Sequence, residues 1–293
     1  MRTSAPILNH PDAADMITGK PFIVSILSGK GGVGKSTVAL NLACALGHSE
    51  LRTLLIDLDW SLGSLHILAN VAPEFSVNDV IREKAFVKDV AIPLTANVSL
   101  LASASATGDS AAPEPIELAR FMETARETLS GYKVIVIDTP CELSESLGVI
   151  AHTSDLPILV LNPEITAITA CYGMYKFLVT LNKTFTGATL LNCASSVSEA
   201  NDIAQRFETM TSRFLGRTPI NIGSVPLDLL IKNSVARQTP VVVRHPSAKS
   251  SVQFNVIAGR IINLLFKNHT SPRLNEIETR NSNYETLQAD IKG

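Results

Sequence analysis

Residues 29–37 read Gly29-Lys30-Gly31-Gly32-Val33-Gly34-Lys35-Ser36-Thr37. The spacing G-x-x-x-x-G-K-[ST] is that of a phosphate-binding loop, here with a further lysine at its second position. In such a loop backbone N–H groups turn inward and cradle the phosphates of a nucleoside triphosphate. Lys35 reaches the β- and γ-phosphates, and the Ser36 hydroxyl ligates Mg²⁺. The flanks agree. Phe22-Ile23-Val24-Ser25-Ile26-Leu27 is a short apolar run suited to a buried strand. Val38, Leu42, Ala45 and Leu46 then recur at helical spacing, with Gly47 as a stop signal. The loop therefore stands between a strand and a helix N-terminus, whose dipole also favours phosphate.

Working outward, strand-like runs alternate with helical segments. Strands are expected at 54–56, 98–101, 134–137, 157–161 and 189–191, with a weaker one at 220–225. Helices are expected near 37–47, 115–130, 166–181, 199–215, 228–237 and 249–267. Several of the strands lack polar alternation, as parallel strands covered on both faces do. The pattern predicts a doubly wound, mostly parallel α/β sheet flanked by helices, a P-loop NTPase in one domain. That domain is expected over 21–268, after an extension at 1–20 and before a polar tail at 269–293. The Ala/Ser-rich stretch 102–115 reads as a surface loop.

A phosphate loop needs carboxylates at neighbouring strand ends. Val134-Ile135-Val136-Ile137-Asp138 ends in one, and Asp138 is placed to hold Mg²⁺ through a water. Leu54-Leu55-Ile56-Asp57-Leu58-Asp59 ends in a pair. Alternation at period 2 would put Asp57 and Asp59 on one side if the strand runs that far. Ser36, Asp57 and Asp138 are the metal candidates.

The 293 residues carry 45% hydrophobic and 18% charged side chains, enough for a sizeable core. A net charge of −2 gives no global attraction to nucleic acid or anionic membrane. Cys44, Cys141, Cys171 and Cys193 are scattered, with neither zinc-ligand spacing nor a disulfide framework. No secretory leader or membrane-spanning run is legible, so the expected location is cytoplasmic, with peripheral contact at the inner membrane left open.

Lys30 within K-G-G-V-G-K-S resembles the deviant loop of the MinD/ParA family of dimerising ATPases. The resemblance implies ATP and Mg²⁺ as ligands, with residues 29–37 (Gly29, Lys30, Gly31, Gly32, Val33, Gly34, Lys35, Ser36, Thr37) around the phosphates. It also implies an ATP-dependent homodimer in which Lys30 reaches the partner's nucleotide, and a catalytic set of Asp59, Lys30 and Lys35. The segment Asp57-Leu58-Asp59-Trp60-Ser61-Leu62-Gly63-Ser64-Leu65-His66 resembles the family's D-x-D-x-G-L-x-N-x-D, in which the second aspartate positions the attacking water. Ser61, Ser64 and His66 depart from it. Thr139-Pro140-Cys141-Glu142-Leu143 departs from the Gly/Ala-rich turn that follows the strand of Asp138. Asn162-Pro163-Glu164 resembles a family turn. Leu191-Asn192 and Ser224-Val225-Pro226-Leu227-Asp228 resemble segments that meet and close over the base, which makes Asn192 and Pro226 nucleotide-binding candidates.

Within the family, Phe214-Leu215-Gly216 and residues 163–169 look most like the flagellar-number regulators of the FlhG (FleN, YlxH) branch. Partners implied are the flagellar GTPase FlhF or flagellar switch and regulator proteins. The branch's D-Q-A-x-x-L-R helix has only a chance echo at residues 12–18, and its basic membrane helix has no counterpart beyond Asn268. The alternative reading is a ParA-like partitioning ATPase that binds DNA non-specifically. It rests on Lys232, Arg237, Arg244, His245, Lys249 and Arg260, which a solvated face explains equally well. A metabolic ligase of the same fold lacks a recognisable substrate pocket here.

Overall fold

The computed structural model describes residues 19–60, 63–103 and 112–270. Its centre is strand β1 (Phe22–Leu27), whose six residues are all buried. The loop follows, then helix α1 (Lys35–His48). Strand β2 (Thr53–Asp57) leads through three short helices, α2 (Leu65–Leu68), α3 (Val77–Ile81) and α4 (Val87–Val90), to the hairpin β3 (Ile92–Thr95) and β4 (Val98–Leu101). Four helix–strand units then complete the sheet. They are α5 (Pro115–Thr128) with β5 (Val134–Asp138), α6 (Glu145–Thr153) with β6 (Leu156–Leu161), α7 (Ile165–Leu181) with β7 (Ala188–Ala194), and α8 (Val197–Leu215) with β8 (Ile220–Pro226). Helices α9 (Leu229–Ala236), α10 (Val241–Arg244) and α11 (Lys249–Thr270) follow.

The sheet order is β3-β4-β2-β5-β1-β6-β7-β8. Every neighbouring pair is parallel except β3 with β4. Strand order therefore switches direction at β1, and the crevice outside its carboxyl end is where such sheets bind ligands. Side-chain alternation sorts the core into layers. Phe22, Val24 and Ile26 face α1 and α11, whereas Ile23 packs with α5 and α6 residues and Leu27 with α6–α8 residues. Helix α1 is buried along most of its length, because the sheet covers one side and α11 the other. The outer helices are delimited by local chemistry. Pro115 begins α5 within a Glu114/Glu117 capping box, and Gly216 ends α8 at φ 64°.

The expected strands are all present, and 220–225 is a full edge strand. Sequence reading missed β3, α6 and the short helices α2–α4 and α10. Those segments run four to nine residues, too short for periodicity to register. Helix α1 starts two residues before the first expected position, since Gly34 in the left-handed region sets its boundary at Lys35. Helix α11 extends to Thr270, past the expected domain end at 268. Residues 1–18, 104–111 and 271–293, which hold most of the expected extension, surface loop and tail, lie outside the described residues.

Candidate nucleotide-binding site

The loop turns between β1 and α1 with Gly32 at φ 80° and Gly34 at φ 89°, backbone that side chains rarely adopt. Two glycines are also forced by their neighbours. A Cβ on Gly29 would lie 2.1 Å from the Ala170 carbonyl oxygen of α7, and one on Gly34 would lie 2.3 Å from Asn192 Nδ2. Asn192, near the end of β7, donates from Nδ2 to the Val33 carbonyl at 2.8 Å, and its Oδ1 is buried without a partner. The structure thus places Asn192 against the loop backbone. Pro226 stands at the end of β8, paired with Ala194 and three strands from β1, on the same carboxyl edge.

Lys35 is 5% exposed and its Nζ lies 2.6 Å from Asp138 Oδ1 and 3.6 Å from Asp59 Oδ2. Burial alone would push its ammonium down, but Asp138, Cys141 and Asp59 together hold it above its ordinary value. Asp138 is fully buried, and burial drives its carboxyl up against the opposing pull of Lys35 and Ser36. Its Oδ2 has no hydrogen-bond partner. An orphaned, fully buried carboxylate oxygen beside the Ser36 hydroxyl and a phosphate loop fits a magnesium nucleotide, because Mg²⁺ is held by one or two protein oxygens together with phosphates. Ser36 and Asp138 would hold the ion, which when bound neutralises phosphate charge. No group of three or more His, Cys, Asp or Glu side chains placed to hold a metal ion exists among the described residues.

Asp57 and Asp138 are register partners on adjacent strands. Both Asp57 oxygens accept backbone N–H groups, from Asp59 at 3.1 Å and Leu65 at 3.2 Å. The strand ends at Asp57, so alternation is not what carries Asp59 to the site. The Asp57 carboxylate bends the following turn and brings Asp59 against Lys35. Burial, with Asp138 beside it, pushes the Asp57 carboxyl up to about 7. A buried acid raised in the folded state stabilises the fold below its unfolded value near 4, and that contribution is lost as pH rises through 7. The nucleotide-free protein is accordingly expected to lose thermal stability progressively between about pH 4 and about pH 7 in chelator. Asp57→Asn is expected to flatten that slope; an unchanged slope in the variant would assign it to another group.

Lys30 stands apart from this buried set. Its side chain is 39% exposed, and its Nζ is held by the Glu164 carboxylate and, at 2.9 Å, by Thr166 Oγ1. Sequence reading had no role for Glu164 or Thr166, which lie more than 130 positions away and meet Lys30 only because β1 and β6 are neighbours. Beyond β5, Thr139 Oγ1 donates to the Ile26 carbonyl at 3.0 Å, and Cys141 Sγ lies 3.3 Å from Ser28 Oγ, tying the departing segment to β1. Trp60 is half-buried against the apolar cluster of α3 and α5.

A phosphate loop at the switch point, with a buried lysine–carboxylate pair and a second acid, Asp59, beside it, defines a P-loop ATPase. Residues 22–190 match the AAA domain family over more than half of the chain. The chain belongs to that family and, within it, to the MinD/ParA ATPases with a deviant loop. It is 27% identical to the antiactivator FleN of Pseudomonas aeruginosa, over 82% of this chain and 85% of that protein. It is 25% identical to the flagellum site-determining protein YlxH of Helicobacter pylori, over 54% of each. The septum site-determining protein MinD of Pyrococcus horikoshii, solved with Mg-ADP, superposes with a TM-score of 0.69 at 25% identity, covering 82% of this chain and 96% of that one.

Proposed function

We propose that this ATPase is a dimerising switch that controls the placement or number of flagella or of another surface machine. The observation that carries the switch is Lys30. A single loop already has Lys35 and Mg²⁺ for its phosphates, yet a second lysine stands on the exposed carboxyl edge in an ion pair with Glu164. In a face-to-face dimer that cation would meet the partner's nucleotide. The same edge presents Leu143, Ile165, Val197, Leu227 and Leu229, each between 56% and 82% exposed, in the segments after β5, β6, β7 and β8. Apolar residues ringing a nucleotide cleft suit a self-complementary interface. Release would follow hydrolysis, so the output is a change of partner surface.

The description of YlxH as flagellum site-determining supports the cellular process, and that of FleN as an antiactivator supports a regulatory protein partner. No described helix is long and apolar enough to cross a membrane, so any membrane contact of the described part would be peripheral. Asp59→Ala tests the enzyme: kcat should fall at least about a hundredfold with ATP affinity little changed, leaving an ATP-bound dimer. Turnover at the wild-type rate would remove Asp59 from the water-positioning role.

The DNA reading retains one supporting feature. Lys232, Arg237, Arg244 and Lys249 are exposed on α9–α11, whereas Arg260 is committed to the Ile222 carbonyl at 2.9 Å. An ATP-dependent shift of random duplex that vanishes with added salt would favour it; the flagellar reading expects none.

A further inference from the structure

Asp59 leaves β2 on a turn, and the chain returns from that turn into α2, a helix of only four residues. The return is held on its inner side. Leu65 N–H donates to Asp57 Oδ2 at 3.2 Å, and a Cβ on Gly63 would collide with Ser103 Oγ at the exit of β4. One turn of helix has little to keep it in place by itself. The far end of α2 is gripped from 171 positions away, where Gln238 Nε2 donates to the Ile67 carbonyl at 2.8 Å. That carbonyl also accepts the Asn70 N–H at 3.2 Å, so both of its lone pairs are used.

Gln238 stands where glycine is the usual choice. Helix α9 ends in a Schellman motif, in which the Gln238 N–H donates to the Val235 carbonyl at 2.9 Å and the Thr239 N–H to the Ser234 carbonyl at 3.1 Å. The motif requires left-handed backbone at its first residue past the helix, and Gln238 adopts it at φ 52°. A side chain is strained there and glycine is not. Helix α10, which follows, is tied to the phosphate loop. Val242 N–H donates to Asn41 Oδ1 at 3.2 Å, and Asn41 Nδ2 donates at 2.8 Å to the carbonyl of Thr37, which closes the loop. Packing of α2 on this framework is incomplete. A cavity of about 10 Å³, roughly the room of one water, lies between Leu68, Thr37, Asn41, Ser234 and Val241. Ser234 Oγ is buried without a hydrogen-bond partner.

We propose that Gln238 is a positioning residue for ATP hydrolysis. Its amide fixes α2, and through the Leu65–Asp57 bond the turn of Asp59, relative to the helix that carries the phosphate loop. Asp59 Oδ2 lies 3.6 Å from Lys35 Nζ, and the bracket keeps that acid and the loop in one frame. This role rests on Asp59 positioning the attacking water. A surface hydrogen bond contributes little to folding, because water replaces it when it is lost. Placement of the acid is more sensitive, since a displacement of about 1 Å costs up to about a hundredfold in rate. Lys35, Ser36 and the loop backbone hold the phosphates without α2. Loss of the amide should therefore appear in kcat and leave ATP affinity and stability nearly unchanged.

The test is steady-state ATP turnover by the full chain, with ATP affinity by calorimetry and the melting temperature measured alongside. Gln238→Gly removes the donor and relieves the left-handed strain. It is expected to lower kcat about tenfold, to keep Kd for ATP within about twofold, and to melt within about 2 °C of wild type. Gln238→Glu, which keeps the size and loses the donor, should lose kcat to the same degree. Gln238→Lys, which keeps a donor of similar reach, should retain at least about half of the wild-type kcat. In the Asp59→Ala background Gln238→Gly should lower the residual rate no further, because the amide acts through Asp59. Wild-type kcat in Gln238→Gly beside a strongly impaired Asp59→Ala would overturn the role of Gln238 and leave that of Asp59 standing. Undiminished turnover by Asp59→Ala would overturn both. A kcat loss matched by a melting loss, unrescued by Gln238→Lys, or repeated in the Asp59→Ala background would make the contact merely structural and overturn the proposal as well.

Discussion

Lys35→Ala is expected to abolish ATP binding and also to destabilise the nucleotide-free fold by about 3–5 kcal/mol. The first effect follows from removing the cation that faces the β- and γ-phosphates. The second follows from where Lys35 sits without them. Its Nζ is 2.6 Å from Asp138 Oδ1, and the Asp138 carboxylate has no exposed surface. Asp57 is buried on the adjacent strand in register with it. Truncating the lysine leaves two buried carboxyl groups side by side without their counter-charge. Calorimetry with ATP and urea unfolding in its absence read the two effects separately. Adding Asp138→Asn to the variant should restore much of the stability and none of the affinity. Affinity within tenfold of wild type would sink the phosphate-loop assignment. Unchanged unfolding would mean that the buried pair is not what holds this edge together.

The second large effect is expected at Lys30, where fold and function separate. Lys30→Ala removes an exposed ion pair with Glu164, whose carboxylate is left in water, so the monomer should fold and bind ATP much as before. In the dimer, each Lys30 would instead contact the partner's phosphates, a charge-assisted contact worth roughly 1.5–3 kcal/mol. Loss of two symmetric contacts should weaken the ATP-dependent dimer by about two orders of magnitude or more. Sedimentation with ATP, with both proteins in the Asp59→Ala background to prevent turnover, measures it. If the two dimerise equally, Lys30 is an ordinary loop residue and the switch loses its main support.

Both predictions involve a lysine found in the sequence and a contact that was not. The loop at 29–37 is local: glycine spacing, an apolar run before it and helical periodicity after it are all contained within some 25 consecutive residues. The same is true of Asp138, which ends an unbroken apolar strand. Local patterning therefore sufficed for the α/β class, the loop and the strand-end acids. At Asp59 the condition on period-2 alternation is not met, because the strand stops at Asp57. A carboxylate accepting the N–H two residues on re-aims the chain there, and spacing alone cannot distinguish that turn from a continued strand.

A short window of chain encodes the class of fold, the phosphate cradle and the residue types that face it. Tertiary structure alone decided which groups meet across the sheet order. It set Glu164 and Thr166 on Lys30, Asn192 behind Gly34 and under Val33, and Cys141 on Ser28. The physical reason is common to all of these. Hydrophobic burial and strand pairing fix the order β5-β1-β6-β7-β8, and that order brings the Asn192 side chain onto the Val33 carbonyl 159 positions away.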